Sequence, residues 1–123
     1  MGKYVHVVSK KEKYSEVEAF NWKQEEFKNL LFALNCPVHE EDPEGYCDRW
    51  DCQKSEYKKA IETLKSYSKG EEISEECDKD DIEDALRELG EKYLLDPTPI
   101  IEKMEMFLNE CDKDFDWLIF VAW

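Results

Sequence analysis

The segment Trp117-Leu118-Ile119-Phe120-Val121-Ala122-Trp123 is apolar at every position. Successive residues of a β-strand point to opposite faces of the sheet, so a strand formed here would be apolar on both faces. Such a pattern is typical of a strand that is buried on both sides and lies in the interior of its sheet. We therefore predict a central strand in this segment, with helices on one face and further helices, or a second subunit, on the other.

Two further strands are predicted. Lys3–Ser9 is rich in β-branched and aromatic residues, and Tyr46–Cys52 alternates in polarity, with charges that suit an edge strand. Apolar residues at helical spacing predict helices between the strands. The predicted fold class is α+β: a small sheet of about three strands that pairs the N- and C-terminal strands and is covered by about four helices. At this length we expect one acidic domain over residues 1–123.

Capping residues set the boundaries of the first two helices. The first helix is predicted to begin after the N-cap Asn21 and to stop by residue 36, because the residue before Pro37 avoids the α conformation. The second is predicted over 54–67, with Gly70 as its C-cap. The apolar stripe of the first helix consists of Phe27, Leu30, Leu31 and Leu34.

The third predicted helix carries an apolar face from Ile82 to Leu94 and runs through Gly90. A proline-rich break follows. Thr98 is then predicted to cap a fourth helix with Pro99 at its first position, where proline is favoured.

The chain carries 31 acidic and 17 basic residues, a formal charge of −14. The excess is uneven, at −8 over 71–84 and −5 over both 40–52 and 85–123. Such a field repels nucleic-acid phosphates and anionic lipids and attracts basic proteins. We expect a basic protein partner, no direct binding of nucleic acid and no membrane association. Charge excess also serves solubility alone, and the sequence assigns no oligomeric state.

The segment that opens the chain lacks the apolar core of a secretory signal. The five cysteines, an odd number, favour free thiols in a reducing compartment over a disulfide framework. We therefore expect a cytoplasmic protein.

A zinc site is the one metal site that the spacing of cysteine and histidine suggests, with Cys36, His39, Cys47 and Cys52 as weak candidate ligands. Cys36 and His39 form a plausible pair, but Cys47 and Cys52 would point to opposite faces of a strand. The competing interpretation is that the cysteines act as small buried hydrophobes. We predict no metal and no other cofactor.

No catalytic constellation emerges. Asp112, Asp114 and Asp116 alternate as in an EF-hand, but Trp117 stands where that loop requires glycine. A Cys36–His39 dyad would lack a glycine loop for an oxyanion. The sequence therefore predicts no catalytic residues.

An acidic loop over residues 39–51, with Tyr46, Arg49 and Trp50 interleaved among its acids, resembles a recognition surface for a basic protein. An equally consistent interpretation makes its aromatic residues part of the core. The main functional hypothesis is a protein-binding module, of which an immunity-protein-like or antitoxin-like inhibitor is one form. The alternatives are a nucleic-acid mimic that inhibits a DNA- or RNA-processing enzyme, and a small metal or thiol enzyme. The predicted partner-binding residues are Glu40, Glu41, Asp42, Glu44, Tyr46, Arg49 and Trp50.

Overall fold

A computed structural model describes residues 5–10, 13–14, 24–40, 48–111 and 116–122. Helices and antiparallel strands share this part of the chain, so the predicted α+β class is confirmed. In chain order the elements are β1 (Val5–Lys10), β2 (Lys13–Tyr14), α1 (Gln24–Ala33), β3 (His39–Glu40), β4 (Asp48–Gln53), α2 (Lys54–Ser68), α3 (Lys79–Leu89), α4 (Glu91–Leu95), α5 (Thr98–Glu110) and β5 (Trp117–Ala122).

The strands form one antiparallel sheet in the order β2-β1-β5-β4-β3. Val7 of β1 pairs with Phe120 of β5, which confirms that the N- and C-terminal strands pair and that β5 is central. The described sheet has five strands, so the expectation of about three holds for the long strands only. The other two, β2 and β3, are two-residue edge strands, too short to produce a periodic pattern in the sequence.

Only one face of β5 is fully covered, contrary to the expectation for this strand. Leu118 and Phe120 are completely buried in the core beneath the helices. Trp117, on the opposite face, is 37% exposed, and Ile119 is half-buried. The described helices pack on the face that carries Phe120, which we call the inner sheet face. The other is the outer sheet face.

Aromatic rings join the helices to the inner sheet face. Phe120 stacks on its cross-strand neighbour Trp50, with ring centroids 4.2 Å apart. Phe27 of α1 meets both rings edge-on at 5.8 Å, and Phe107 of α5 meets Phe120 edge-on at 5.6 Å. Edge-to-face and stacked pairs of this kind add to the stabilisation from burial alone. They fix how α1 and α5 lie on the sheet.

Helices α1 and α2 each end at a residue whose backbone adopts the left-handed conformation. Asn35 has φ 60°, and the Cys36 N–H donates to the Leu31 carbonyl at 2.8 Å, so α1 closes in a Schellman motif before Pro37 is reached. Gly70 has φ 73° and closes α2 in the same motif, so this glycine ends the helix as predicted, although it stands one residue beyond the C-cap itself, Lys69. The proposed N-cap of the first helix, Asn21, lies outside the described residues.

The predicted third helix is wrong in extent. It ends at Leu89, and α4 begins after Gly90, because glycine is the least favourable helix residue after proline. As a result the described part of the chain has five helices rather than about four. The predicted cap of the last helix is also wrong: Thr98 lies within α5, and its N–H donates to the Asp96 carboxylate at 3.1 Å. Hydrogen bonds from Thr98 lower the pKa of Asp96.

Candidate functional site

The structure removes one residue from the predicted partner-binding surface. Trp50 is 0% exposed, because its pairing with Phe120 places it on the inner sheet face. Its assignment as a surface anchor is therefore wrong. Glu40 pairs with Trp50 across β3 and β4, and Arg49 pairs with Val121 across β4 and β5. The remaining predicted residues, Glu41, Asp42, Glu44 and Tyr46, lie outside the described residues.

The candidate zinc ligands separate into a buried pair and an exposed histidine. Cys36 and Cys52 are both fully buried, and a hydrogen bond between their thiols, followed by burial, raises the pKa of Cys52. His39 is exposed, with its ring 5.7 Å from that of Trp117, and Cys47 lies outside the described residues. No group of three or more His, Cys, Asp or Glu among the described residues is arranged to hold a metal. Protonated, buried thiols are also poor nucleophiles.

Two buried polar groups have structural partners. The Tyr57 hydroxyl donates to the Met104 carbonyl at 2.8 Å and so ties α2 to α5, and burial raises the pKa of Tyr57. Lys28 is 4% exposed, with its ammonium 2.8 Å from the Glu25 carboxylate and 5.8 Å above the Trp50 ring. Tyr57 thus links two helices, Lys28 lies between its own helix and the Trp50 ring of β4, and neither residue lines a described cavity.

One cavity lies between the end of α1, α2 and the loop before α3. It encloses about 660 Å³, and the Asn35 amide donates to Glu76 at 2.6 Å beside it. Cys77 lines it half-buried, and its pKa is raised, first by burial and then by Glu76. Lysine and glutamate side chains both line this cavity, so it has no dominant charge and no activated nucleophile.

Residues 71–91, which we call the acidic segment, form the strongest surface feature of the described chain. The segment contains eleven acidic residues against Lys79 and Arg87, and ten of the acids are exposed. The Asp78 carboxylate accepts the Asp80 N–H at 2.8 Å and caps α3. Arg87 contacts Glu83 at 2.9 Å and Asp84 at 3.2 Å, so its charge is neutralised within the segment. The exposed surface is therefore strongly negative.

Helix α3 packs beside α1, and a cavity of about 310 Å³, the α1–α3 groove, lies between them. Phe32 borders the groove and is 53% exposed. It stands outside the predicted apolar stripe of its helix, and a large apolar residue off the stripe is the sequence signal that could have identified it. The lining residues are Asn29, Phe32, Ala33, Asp81, Asp84, Ala85 and Glu88.

No helix in the described part of the chain combines the length and the apolar character that crossing a bilayer requires. No protein-family model matches the sequence, and neither the curated proteins nor the solved structures contain a significant match.

Proposed function

We propose that this protein is a binding module for a basic protein partner. The observation that carries the proposal is the acidic segment with its ten exposed carboxylates, three of which (Asp81, Asp84 and Glu88) line a groove beside an exposed phenylalanine. Acidic groups beside an accessible aromatic ring combine electrostatic attraction with an apolar anchor.

The charges act chiefly on the rate of association. An exposed ion pair contributes only about 0.2–1 kcal/mol, and salt screens it. A field of one sign instead steers an oppositely charged partner during encounter and raises the association rate by one or more orders of magnitude. We therefore expect fast, salt-sensitive association, with affinity supplied by buried apolar contacts.

Within this class, an inhibitor of the immunity-protein or antitoxin kind fits best, because an acidic surface can cover a basic functional cleft without any catalytic group of its own. The described cysteines are free thiols, which supports a reducing compartment such as the cytoplasm.

The test begins with affinity capture from the source organism, followed by purification of the retained partner. The association rate is then measured at about 0.05 M and 0.5 M salt, where screening lengths differ by roughly threefold. Glu72→Gln with Glu75→Gln should slow association at low salt. The control pair, Glu102→Gln with Glu110→Gln, makes the same charge change on exposed positions of α5.

A basic partner whose association is slowed only by the first pair would support the proposal. The proposal would be refuted if the two pairs of substitutions slowed association equally, or if the association rate were the same at both salt concentrations.

A further inference from the structure

We infer that the α1–α3 groove is the docking site for a basic amphipathic α-helix of the partner. This inference rests on the proposed function, since it specifies what kind of segment the partner presents. The groove supplies three elements of such a site: small residues at its floor, an exposed aromatic ring at its side and carboxylates in a row.

The floor of the groove is formed by Ala33 of α1 and Ala85 of α3. Alanine leaves space above a helix–helix contact, because its side chain ends at the β-carbon. A third helix can therefore approach both helices closely, as in ridge-into-groove packing. A bulky residue at either position would fill the cavity of about 310 Å³ that the structure leaves there.

The side of the groove offers an apolar anchor. Phe32 is 53% exposed, whereas its neighbours Leu30 and Leu31 are fully buried in the core. A few well-placed aromatic contacts usually carry most of the affinity of an interface. An apolar side chain of the incoming helix would pack against the Phe32 ring above the alanine floor.

The spacing of the acidic residues along α3 favours a helical partner segment over an extended one. Asp81 and Glu88 lie seven residues apart on the same side of α3, which corresponds to about 10 Å at 1.5 Å per residue. A docked helix presents cations at the same spacing on one face. A strand covers about 10 Å in three residues, which places its two cations on opposite faces. The Asn29 amide donates to Glu88 at 3.5 Å, between the two helices.

The charge also identifies the occupant as a partner rather than a second copy. Two chains of formal charge −14 would bring their acidic segments together across such an interface. Like charges in contact disfavour association, whereas lysine and arginine on a partner helix complement Asp81 and Glu88.

The test uses a synthetic helical peptide with a stripe of leucines flanked by lysines, and a scrambled peptide of identical composition without the helical period. Binding is measured by fluorescence anisotropy of the labelled peptides at low salt. We expect the patterned peptide to bind at least about tenfold more tightly than the scrambled one, because only it can present an apolar stripe.

Paired variants locate the site. Phe32→Ala should weaken binding of the patterned peptide about tenfold. Leu95→Ala, which removes another exposed apolar residue outside the groove (89% exposed), should change it less than about twofold. Asp81→Asn should weaken binding more than Glu72→Gln, although both remove one exposed charge. Urea denaturation of each variant confirms that the fold is retained.

Equal binding of the two peptides, equal effects of Phe32→Ala and Leu95→Ala, or no binding at low salt would each overturn the groove assignment. The outcome for the proposed function is separate. If the association of a captured partner is slowed by Glu72→Gln with Glu75→Gln but its binding is unchanged by Phe32→Ala, the proposed function stands and the groove assignment is rejected.

Discussion

The two faces of β5 should differ sharply in their contribution to stability. Phe120 is fully buried and stacks on Trp50 at 4.2 Å. Replacing a buried phenylalanine with alanine costs about 3–5 kcal/mol, and lost ring pairing places Phe120→Ala in the upper part of that range. Trp117 on the outer sheet face is 37% exposed, so Trp117→Ala should cost only about 1 kcal/mol.

The assay is equilibrium urea denaturation followed by far-ultraviolet circular dichroism, which does not depend on tryptophan emission. For a typical slope of about 2 kcal/mol per M, Phe120→Ala should lower the midpoint by about 2 M and Trp117→Ala by about 0.5 M. Typical stabilities of 5–15 kcal/mol leave both variants measurable.

A charged pair of variants repeats the comparison. Leu118→Asp buries an unpaired carboxylate on the inner sheet face and should unfold the protein, whereas Ile119→Asp on the half-buried outer sheet face should leave a cooperative transition. Equal losses for Trp117→Ala and Phe120→Ala would show that both sheet faces are packed, and would refute the one-sided arrangement.

Three further predictions concern the interior and the helix ends. Cys52 and Tyr57 have raised pKa values in the folded protein. The native state therefore keeps protons that the unfolded chain releases, above pH about 8.5 for the cysteine and about 10 for the tyrosine. Above its threshold, each group should lower the free energy of unfolding by up to about 1.4 kcal/mol per pH unit. Tyr57→Phe should flatten this alkaline loss in urea titrations above pH 10, and an unchanged slope would contradict the assignment. Asn35 occupies the left-handed region at φ 60°, so Asn35→Ala should lower the melting temperature more than Asn35→Gly, and the reverse order would argue against the Schellman motif. Strong chelation should leave the melting temperature unchanged, since Cys36 and Cys52 are buried in the core and no group of three or more possible ligands among the described residues is arranged to hold a metal. One zinc lost together with the fold would contradict this.

Much of the fold could be read from the sequence because its long elements have clear periods. Local patterns in the sequence predict three features that the structure shows: the buried apolar stripe that begins at Phe27, the end of α2 at Gly70 and the central position of β5. The sequence could not show which face of β5 the helices cover. The alternation of side chains along a strand gives the chemistry of each face but not the position of the helices. Trp50 was misplaced for a related reason: the strand lies beside β5, and the two-residue β3 takes the edge position.

The candidate site was only half predictable. The acids of the acidic segment are visible in the sequence, and the structure adds their exposure. The α1–α3 groove depends on Phe32 and Asp81 coming together from elements nearly fifty residues apart, and no local pattern encodes that packing. Phe32 alone, as an apolar residue off its helical stripe, carried a readable signal.

The central position of β5 also governs how the sheet is assembled in time. β1 and β4 are each joined to β5 and not to one another, so the long strands gain their shared neighbour only after residues 117–122 have been synthesised. Closing the loop between Val7 and Phe120 costs about 4 kcal/mol of chain entropy before any pairing repays it. The helices need only local contacts and can form earlier. Refolding should therefore be limited by this late, long-range closure, and a nascent chain that has made β1 and β4 without β5 would expose strand edges that molecular chaperones protect.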